Sequence, residues 1–402
     1  MDITEAFASA QNTDVFSAPS IVAHKYFERA YGRVLARLPE KERDEFEVAM
    51  SVGEGSPVVD WRPEIGMALS ACDAGKIMLA AFQLLVTRAS TQVRFSGNLE
   101  KSSLFVDGWL IQVEGATSVL SGGGLLQVRS ALGEVNFLDI GNWWELVGAS
   151  ADSGWIVYRS AVSRPRYIVR SDIPGSSKMF PAIGKSAGLQ ALSDRSPCNE
   201  MASGATKAIN AALIGIERSG NYGGWLATAV DGIILTGGDV PVGISSPNFP
   251  GLIALNDQGS VLDYAETIVS AVCHQKLFQL AMIHALTEPG KEEVHYVPER
   301  RSYTTTRRAL AAAHEHINAI CMLNGFQDPS VPSELIDIRI RKRELMLMVD
   351  CVSPLEKSEI LTPAGKHLWQ HLKSLSGKDG ESERPIQALS YGPTERTQRE
   401  VA

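Results

Sequence analysis

The spacing of apolar residues changes along the chain, and each change predicts a different kind of element. In residues 1–92 the apolar positions recur at helical intervals: Tyr26, Ala30, Val34 and Leu35 share one stripe, and Ile65 to Thr87 is a long segment rich in Ala, Leu and Met. The turn-rich stretch Gly53-Glu54-Gly55-Ser56-Pro57 separates the two. From Thr91 to about Ile168 the period shortens. Val93-Arg94-Phe95, Leu104 to Val113, Leu125 to Val128 and Trp155 to Tyr158 predict strands with turn residues between them. Gly122-Gly123-Gly124 lacks the Lys-Ser/Thr pair and the strand-to-helix context of a phosphate loop, so it predicts a hairpin turn.

Residues 172–200, with Pro174-Gly175, Pro181 and Ser196-Pro197, predict a loop, and Glu200 to Ser219 a helix. The apolar runs Leu226–Val230 and Gly232–Thr236, then Ser245 to Leu255, predict strands feeding a site. Helices are predicted over about Leu262–Leu286, Thr306–Leu323 and Ser333–Val352, and Thr362-Pro363-Ala364-Gly365 opens a short last one. After Ser376 the chain is Gly, Ser, Glu, Arg and Pro with few large apolar residues, which predicts a mobile tail. The pattern as a whole predicts an α+β protein: a helical part at 1–92, a β-rich region at 93–200 around a mixed or antiparallel sheet, a helical domain at 201–376 carrying the site, and a tail at 377–402.

Composition narrows the function classes. The 402 residues are 44% hydrophobic and 21% charged, ordinary values for a soluble protein. A net charge of −8 argues against nucleic acid as a partner and against polybasic membrane contact. The clusters Arg300-Arg301, Arg307-Arg308 and Arg339-Ile340-Arg341-Lys342-Arg343 read as solvated faces. Cys72, Cys198, Cys273, Cys321 and Cys351 contain no CxxC pair and read as reduced and mostly buried. With no charged-then-apolar leader and no long apolar span, the expectation is a cytoplasmic protein without a membrane partner.

The chemistry concentrates in Ile268 to Leu277. This segment has the context of a metal-binding HExxH helix, in which two His at i and i+4 share a face and grip one ion. His274 stands at the second position, but Ser270 and Ala271 replace the first His and the Glu. A neutral Ser hydroxyl is a poor ligand for iron or zinc, and Ala271 can neither ligate nor move a proton. Glu266, four residues before Ser270, is the local carboxylate able to lean into the same pocket. Lys276 reads as a solvated residue on the helix rim.

From about Ser203 to Gly325 the chain resembles the HExxH peptide-modification family, whose members act on ribosomally made peptides and include Fe(II)- and 2-oxoglutarate-dependent peptide β-hydroxylases. The shared order is a helix like Ala208–Arg218, a strand near Asp231–Thr236, a "Ser-Ser…Pro-Gly…Ile…Leu" strand from Ser245 to Leu255, and a motif helix ending in His274, Lys276 and Leu277. Tyr296-Val297-Pro298-Glu299-Arg300 matches a "Tyr-x-Pro-Trp-Arg" element without its Trp. Ala312-Ala313-His314-Glu315-His316 falls on "Gly-x-Tyr-Ala-His", which gives His316 the third-ligand position and puts His314 in place of the Tyr. Leu361 to Lys366 resembles the closing element.

The resemblance implies a metal site on His274 and His316, with His314 a further candidate if its helix is distorted, and Arg300 as a fork for the 2-oxoglutarate carboxylate. Two readings follow. One is an oxidoreductase that tailors a precursor peptide with Fe(II) and 2-oxoglutarate on a remodelled site. The other is a degenerate member that binds a precursor peptide or a partner enzyme with no metal. The plain alternative is an unrelated helix–sheet protein in which His274, beside Cys273, belongs to the core.

Overall fold

A computed structural model describes residues 3–10, 17–51, 61–87, 93–140, 144–149, 155–159, 165–171, 199–236, 243–246 and 249–376. The predicted turn at 53–57, nearly all of the predicted loop at 172–200 and the tail at 377–402 lie outside the described residues.

The first part packs helices against a meander. Helices α1 (Ile3–Ala8), α2 (Ser17–Leu35), α3 (Glu40–Ser51), α4 (Pro63–Asp73) and α5 (Ile77–Thr87) precede an antiparallel sheet of β1 (Val93–Val106), β2 (Trp109–Gly122), β3 (Leu125–Ser130), β4 (Gly133–Asp139) and β5 (Trp144–Ala149), in that spatial order. Alternate residues of β1 and β4, among them Phe95 and Phe137, join Phe27, Val34, Phe46 and Phe82 in one core. Residue 92 therefore divides elements but not cores. Gly123 and Gly124, with φ of +60° and +80°, form the expected hairpin turn. The run Leu104–Val113, predicted as one strand, breaks at Asp107-Gly108, with φ of +44° and +91°. An Asp-Gly pair between alternating apolar residues is the signature of a two-residue hairpin, and it sits inside that run.

The second sheet crosses the predicted boundary at 200. Its order is β6 (Trp155–Arg159), β7 (Tyr167–Ser171), β8 (Val230–Thr236), β10 (Gly251–Asn256), β9 (Gly243–Ser245). β8 runs parallel to both neighbours, and the outer pairs are antiparallel. Every residue of β8 and β10 is buried, as expected for central parallel strands covered on both faces. Helices α6 (Asn199–Arg218), α7 (Tyr222–Ala227) and α8 (Val261–Ala281) complete this core through Ile209, Leu213, Trp225, Ile268 and Val272. The start of the run Leu226–Val230, expected as strand, instead ends α7.

A third core unites α1 with the C-terminal helices: α9 (Thr306–Gly325), α10 (Ser333–Leu347), a π-helical turn at Met348–Val352, α11 (Ser353–Lys357) and α12 (Pro363–Leu375). The short hairpin β11 (Val294–Val297) and β12 (Ser302–Thr305) leads into α9. Among the described residues no helix is long and apolar enough to cross a membrane.

A buried polar knot ties the layers together. The Arg166 Nη2 lies 2.7 Å from Asp107 Oδ1, and its Nε lies 2.8 Å from Asp231 Oδ1. Asp107 also accepts a 2.8 Å hydrogen bond from the Trp144 backbone amide, and its own amide donates to Glu64 Oε1 at 3.2 Å. Burial pushes the Glu64 carboxyl up to about 7, with Asp231 and Asp107 adding to the shift against Arg62 and Arg166. The folded chain thus keeps this proton to near neutrality, whereas an unfolded chain releases it in the ordinary carboxylate range. The linkage makes stability fall as pH rises between those two values. Urea unfolding at pH 5 and pH 8 is expected to show a loss of about 1–3 kcal/mol from this group, and Glu64→Gln to flatten the slope. An unchanged slope in the variant rejects Glu64 as its source.

Candidate functional site

The site lies where α8, α9 and α10 meet. The start of α8 is set by a reciprocal cap: Ser260 Oγ accepts from the Asp263 amide at 3.2 Å, and Asp263 Oδ2 accepts from the Ser260 amide at 3.0 Å. From that start, Asp263, Glu266, Ser270 and His274 fall along one side of α8, each three or four residues after the last. Ser270 and His274 do share a face, as an i, i+4 pair should. Both reach the same residue on α9, Glu315. The Ser270 hydroxyl hydrogen-bonds its carboxylate, and His274 Nε2 lies 3.8 Å from its Oε2.

The centre of the cluster is a guanidinium. Arg343, from α10, donates from Nε to Glu266 Oε1 at 2.8 Å and from Nη1 to Glu315 Oε1 at 3.0 Å. The same Nη1 lies 3.2 Å from His316 Nδ1. A guanidinium only donates, so His316 Nδ1 accepts and the ring carries its proton on Nε2. Burial pushes the His316 imidazole down to about 4; Arg343 and Arg300 add to this against Glu315 and Asp350. Burial works to raise the Glu315 carboxyl as well. Ser270, Arg343 and the two imidazoles outweigh it and hold Glu315 below its ordinary range. One turn along α10, Arg339 meets Asp263 Oδ1 at 2.6 Å and Glu266 Oε2 at 3.1 Å. Glu266 does lean into the cluster, as its position predicted, and two arginines engage it there.

His274 and His316 therefore reach one cluster, bracketing Glu315. Ala271 is buried in the second core, away from the charges. His314 goes elsewhere. On a helix, residues two apart point about 200° from each other, so His316 and His314 cannot serve one pocket. The His314 Nε2 donates to the Phe7 carbonyl at 2.9 Å, and Asn318, one turn on, donates from Nδ2 to the Ala8 carbonyl at 2.8 Å. Those carbonyls end α1, where a helix has no partners of its own. His314 is a capping residue in the core, packed edge-on to Trp225, and burial pushes it down to about 4.

Arg300 is also committed. Its Nε and Nη2 fork onto Asp350 Oδ1 and Oδ2 at 3.0 and 2.7 Å, so the two donors expected for a cofactor carboxylate pin the β11–β12 hairpin to the π turn. Lys276 is not solvated. It is fully buried, donates to Thr228 Oγ1, and lies 5.6 Å from the Trp225 ring centre. Burial drives its pKa well below the ordinary range. Its place in the core was legible in its spacing, since Val272 and Leu280 lie four residues to either side.

Glu315, Arg339 and Arg343 are the site residues that sequence reasoning missed. The signal was present: Arg339 and Arg343 are an i, i+4 pair inside a cluster read as solvated. The donor set does not fit Fe(II). Ser270 hydrogen-bonds to Glu315, His316 Nδ1 faces a cation, and both carboxylates are held by arginines. Among the described residues, no three His, Cys, Asp or Glu side chains are grouped to hold a metal ion. The cluster instead offers a fixed charge array with His274, 39% exposed, at its mouth.

Replacing Arg343 with Met takes the arginine from Glu315 and leaves the buried Glu266 with Arg339 alone. A loss of about 2–4 kcal/mol is expected in denaturant unfolding. The NMR titration midpoint of His316 should rise in the same variant, because a neighbouring positive charge is gone. Unchanged stability together with an unchanged midpoint would reject the clamp. Comparison of the chain with protein-family models and with curated protein sequences returned no match.

Proposed function

We propose that this chain binds a ribosomally made precursor peptide without catalysing its modification, as a metal-free relative of the peptide-modification family that it resembles. The observation carrying this reading is the position of Arg343. Its guanidinium stands among Glu266, Glu315 and His316, between the helices whose side chains would have to converge on a metal. A guanidinium supplies positive charge to those acceptors but has no open coordination position for a substrate, oxygen or a keto acid.

The alternative is an Fe(II)- and 2-oxoglutarate-dependent peptide hydroxylase built on His274 and His316. It requires Arg343 to swing out of the cluster and Arg300 to leave Asp350, and no observation favours either step.

Anaerobic titration with Fe(II), and with Co(II) as a spectroscopic substitute, should give no stoichiometric complex with the native chain. The double variant Ser270→His, Arg343→Ala should gain micromolar affinity, since it restores the missing ligand position and removes the competing cation. Peptides encoded beside the gene should bind the native chain and His274→Ala within about threefold of each other, a difference of under 1 kcal/mol. One equivalent of iron on the native chain, lost on His274→Ala, overturns the reading in favour of the enzyme.

A further inference from the structure

The hairpin β11–β12 stands apart from both five-stranded sheets, and its two faces are used differently. The inner face is fixed. Val297 is buried, His295 Nε2 lies 2.9 Å from Thr306 Oγ1, and Arg300 forks onto Asp350 of the π turn. The outer face carries Val294, Tyr296 and Tyr303, which are 58%, 53% and 70% exposed. Tyr296 lies opposite Tyr303 in the ladder, with the rings 5.2 Å apart, and Val294 lies one pair along on the same face. Single exposed apolar residues need no explanation, but a contiguous aromatic patch on a rigid support marks an interaction surface.

The main chain beside this patch is also open. The Thr306 amide donates to the Glu293 carbonyl at 3.1 Å. Bonded and non-bonded pairs alternate in an antiparallel ladder, so His295 bonds with Thr304 and Val297 with Ser302. Val294 and Tyr296 therefore turn their N–H and C=O groups away from β12. Those groups have no hydrogen-bond partner among the described residues. On β12 the matching edge is shorter, because Thr305 caps α9 and its carbonyl enters that helix. Natural edge strands refuse partners with charged residues, prolines or bulges. Val294-His295-Tyr296-Val297 carries no Lys, no acidic residue and no Pro, and its register is unbroken.

These open groups select the occupant. Unpaired amides and carbonyls at strand spacing fit the backbone of an extended segment, whose alternate side chains then pack on Val294 and Tyr296. A second copy paired edge to edge covers too little. Val294, Tyr296 and Tyr303 expose on the order of 350 Å², or roughly 700 Å² for two copies, against about 1,200–2,000 Å² in a stable dimer. A short peptide needs no such area, since the hairpin is already held in shape and only the peptide is ordered on binding.

We infer that the free edge of β11 takes an extended segment of the precursor peptide as a third, antiparallel strand, with apolar residues of that segment against Val294 and Tyr296. The inference rests on the peptide-binding reading above and names where the peptide main chain is held. The edge lies beside the charged cluster, since Arg300 and Asp350, which pin the hairpin, both act on His316.

The test uses the full chain and a fluorescein-labelled peptide of alternating Val and Thr. In an antiparallel third strand, each Val that faces the tyrosine side also turns its amide to the edge. N-methylation of the Val amides should therefore weaken binding about tenfold or more, and N-methylation of the Thr amides should leave it within about threefold. Val294→Pro removes an outward amide without touching a hairpin hydrogen bond, and it should weaken the probe about tenfold while Val294→Thr does not. Tyr296→Ser with Tyr303→Ser should weaken it similarly; circular dichroism confirms the fold, since both residues are exposed. No binding of the probe, equal loss from the two methylated peptides, the reverse order, or indifference to Val294→Pro overturns the edge assignment. So does a native dimer that Val294→Pro dissociates, which assigns the edge to a second copy. Peptides encoded beside the gene that bind the native and Val294→Pro chains equally overturn this site and leave the peptide-binding reading intact. If none of them binds while the Val-Thr probe follows the pattern above, the reading fails and the edge stands.

Discussion

A carboxylate taken out of water must find a cation or a proton, and in this protein that requirement decides which elements meet. Arg166 answers it for Asp107 and Asp231, which belong to different sheets. Arg343 answers it for Glu266 and Glu315, which belong to different helices. The desolvation cost of an isolated buried charge is several kcal/mol, so either arginine is far harder to lose than its own net contribution suggests. Glu64 shows the other solution. With the Arg166 guanidinium already shared between two aspartates, it keeps a proton instead.

The two faces of α9 follow from the same accounting applied to one helix. Glu315 and His316 turn toward the arginines of α10, while His314 and Asn318 turn toward the unpartnered carbonyls that end α1. Each face satisfies polar groups that another element leaves exposed to the core. The histidine-rich stretch of this helix is thus divided between an electrostatic cluster and a helix cap. That division keeps the two imidazoles from acting as a pair.

Helix α10 connects the cluster to the surface. It delivers Arg339 and Arg343 inward to carboxylates and rests Ile336 and Ile340 on the second core, while Glu334, Asp337, Arg341, Lys342 and Glu344 face solvent. The inward half is explained by α8 and α9.

Local pattern was enough for much of this. Helical spacing placed α2, α5, α8, α9 and α10, alternation placed the first sheet, and Gly122-Gly123-Gly124 was legible as a turn because glycine alone enters positive φ freely. The i, i+4 rule placed Ser270 and His274 on one face and aimed Glu266 toward the same pocket. Pairing between distant segments was not legible. β6 and β7 join β8 across the predicted boundary at 200 because the neighbours of a strand are chosen by burial and register, not by proximity in the chain. Arg339 and Arg343 looked solvated because a guanidinium reads the same in sequence whether it faces water or a buried carboxylate. The sequence by itself determined which side chains share a helix face, since helix geometry sets that. Only the tertiary structure decided what each face meets, because burial and charge pairing depend on which other helix arrives opposite.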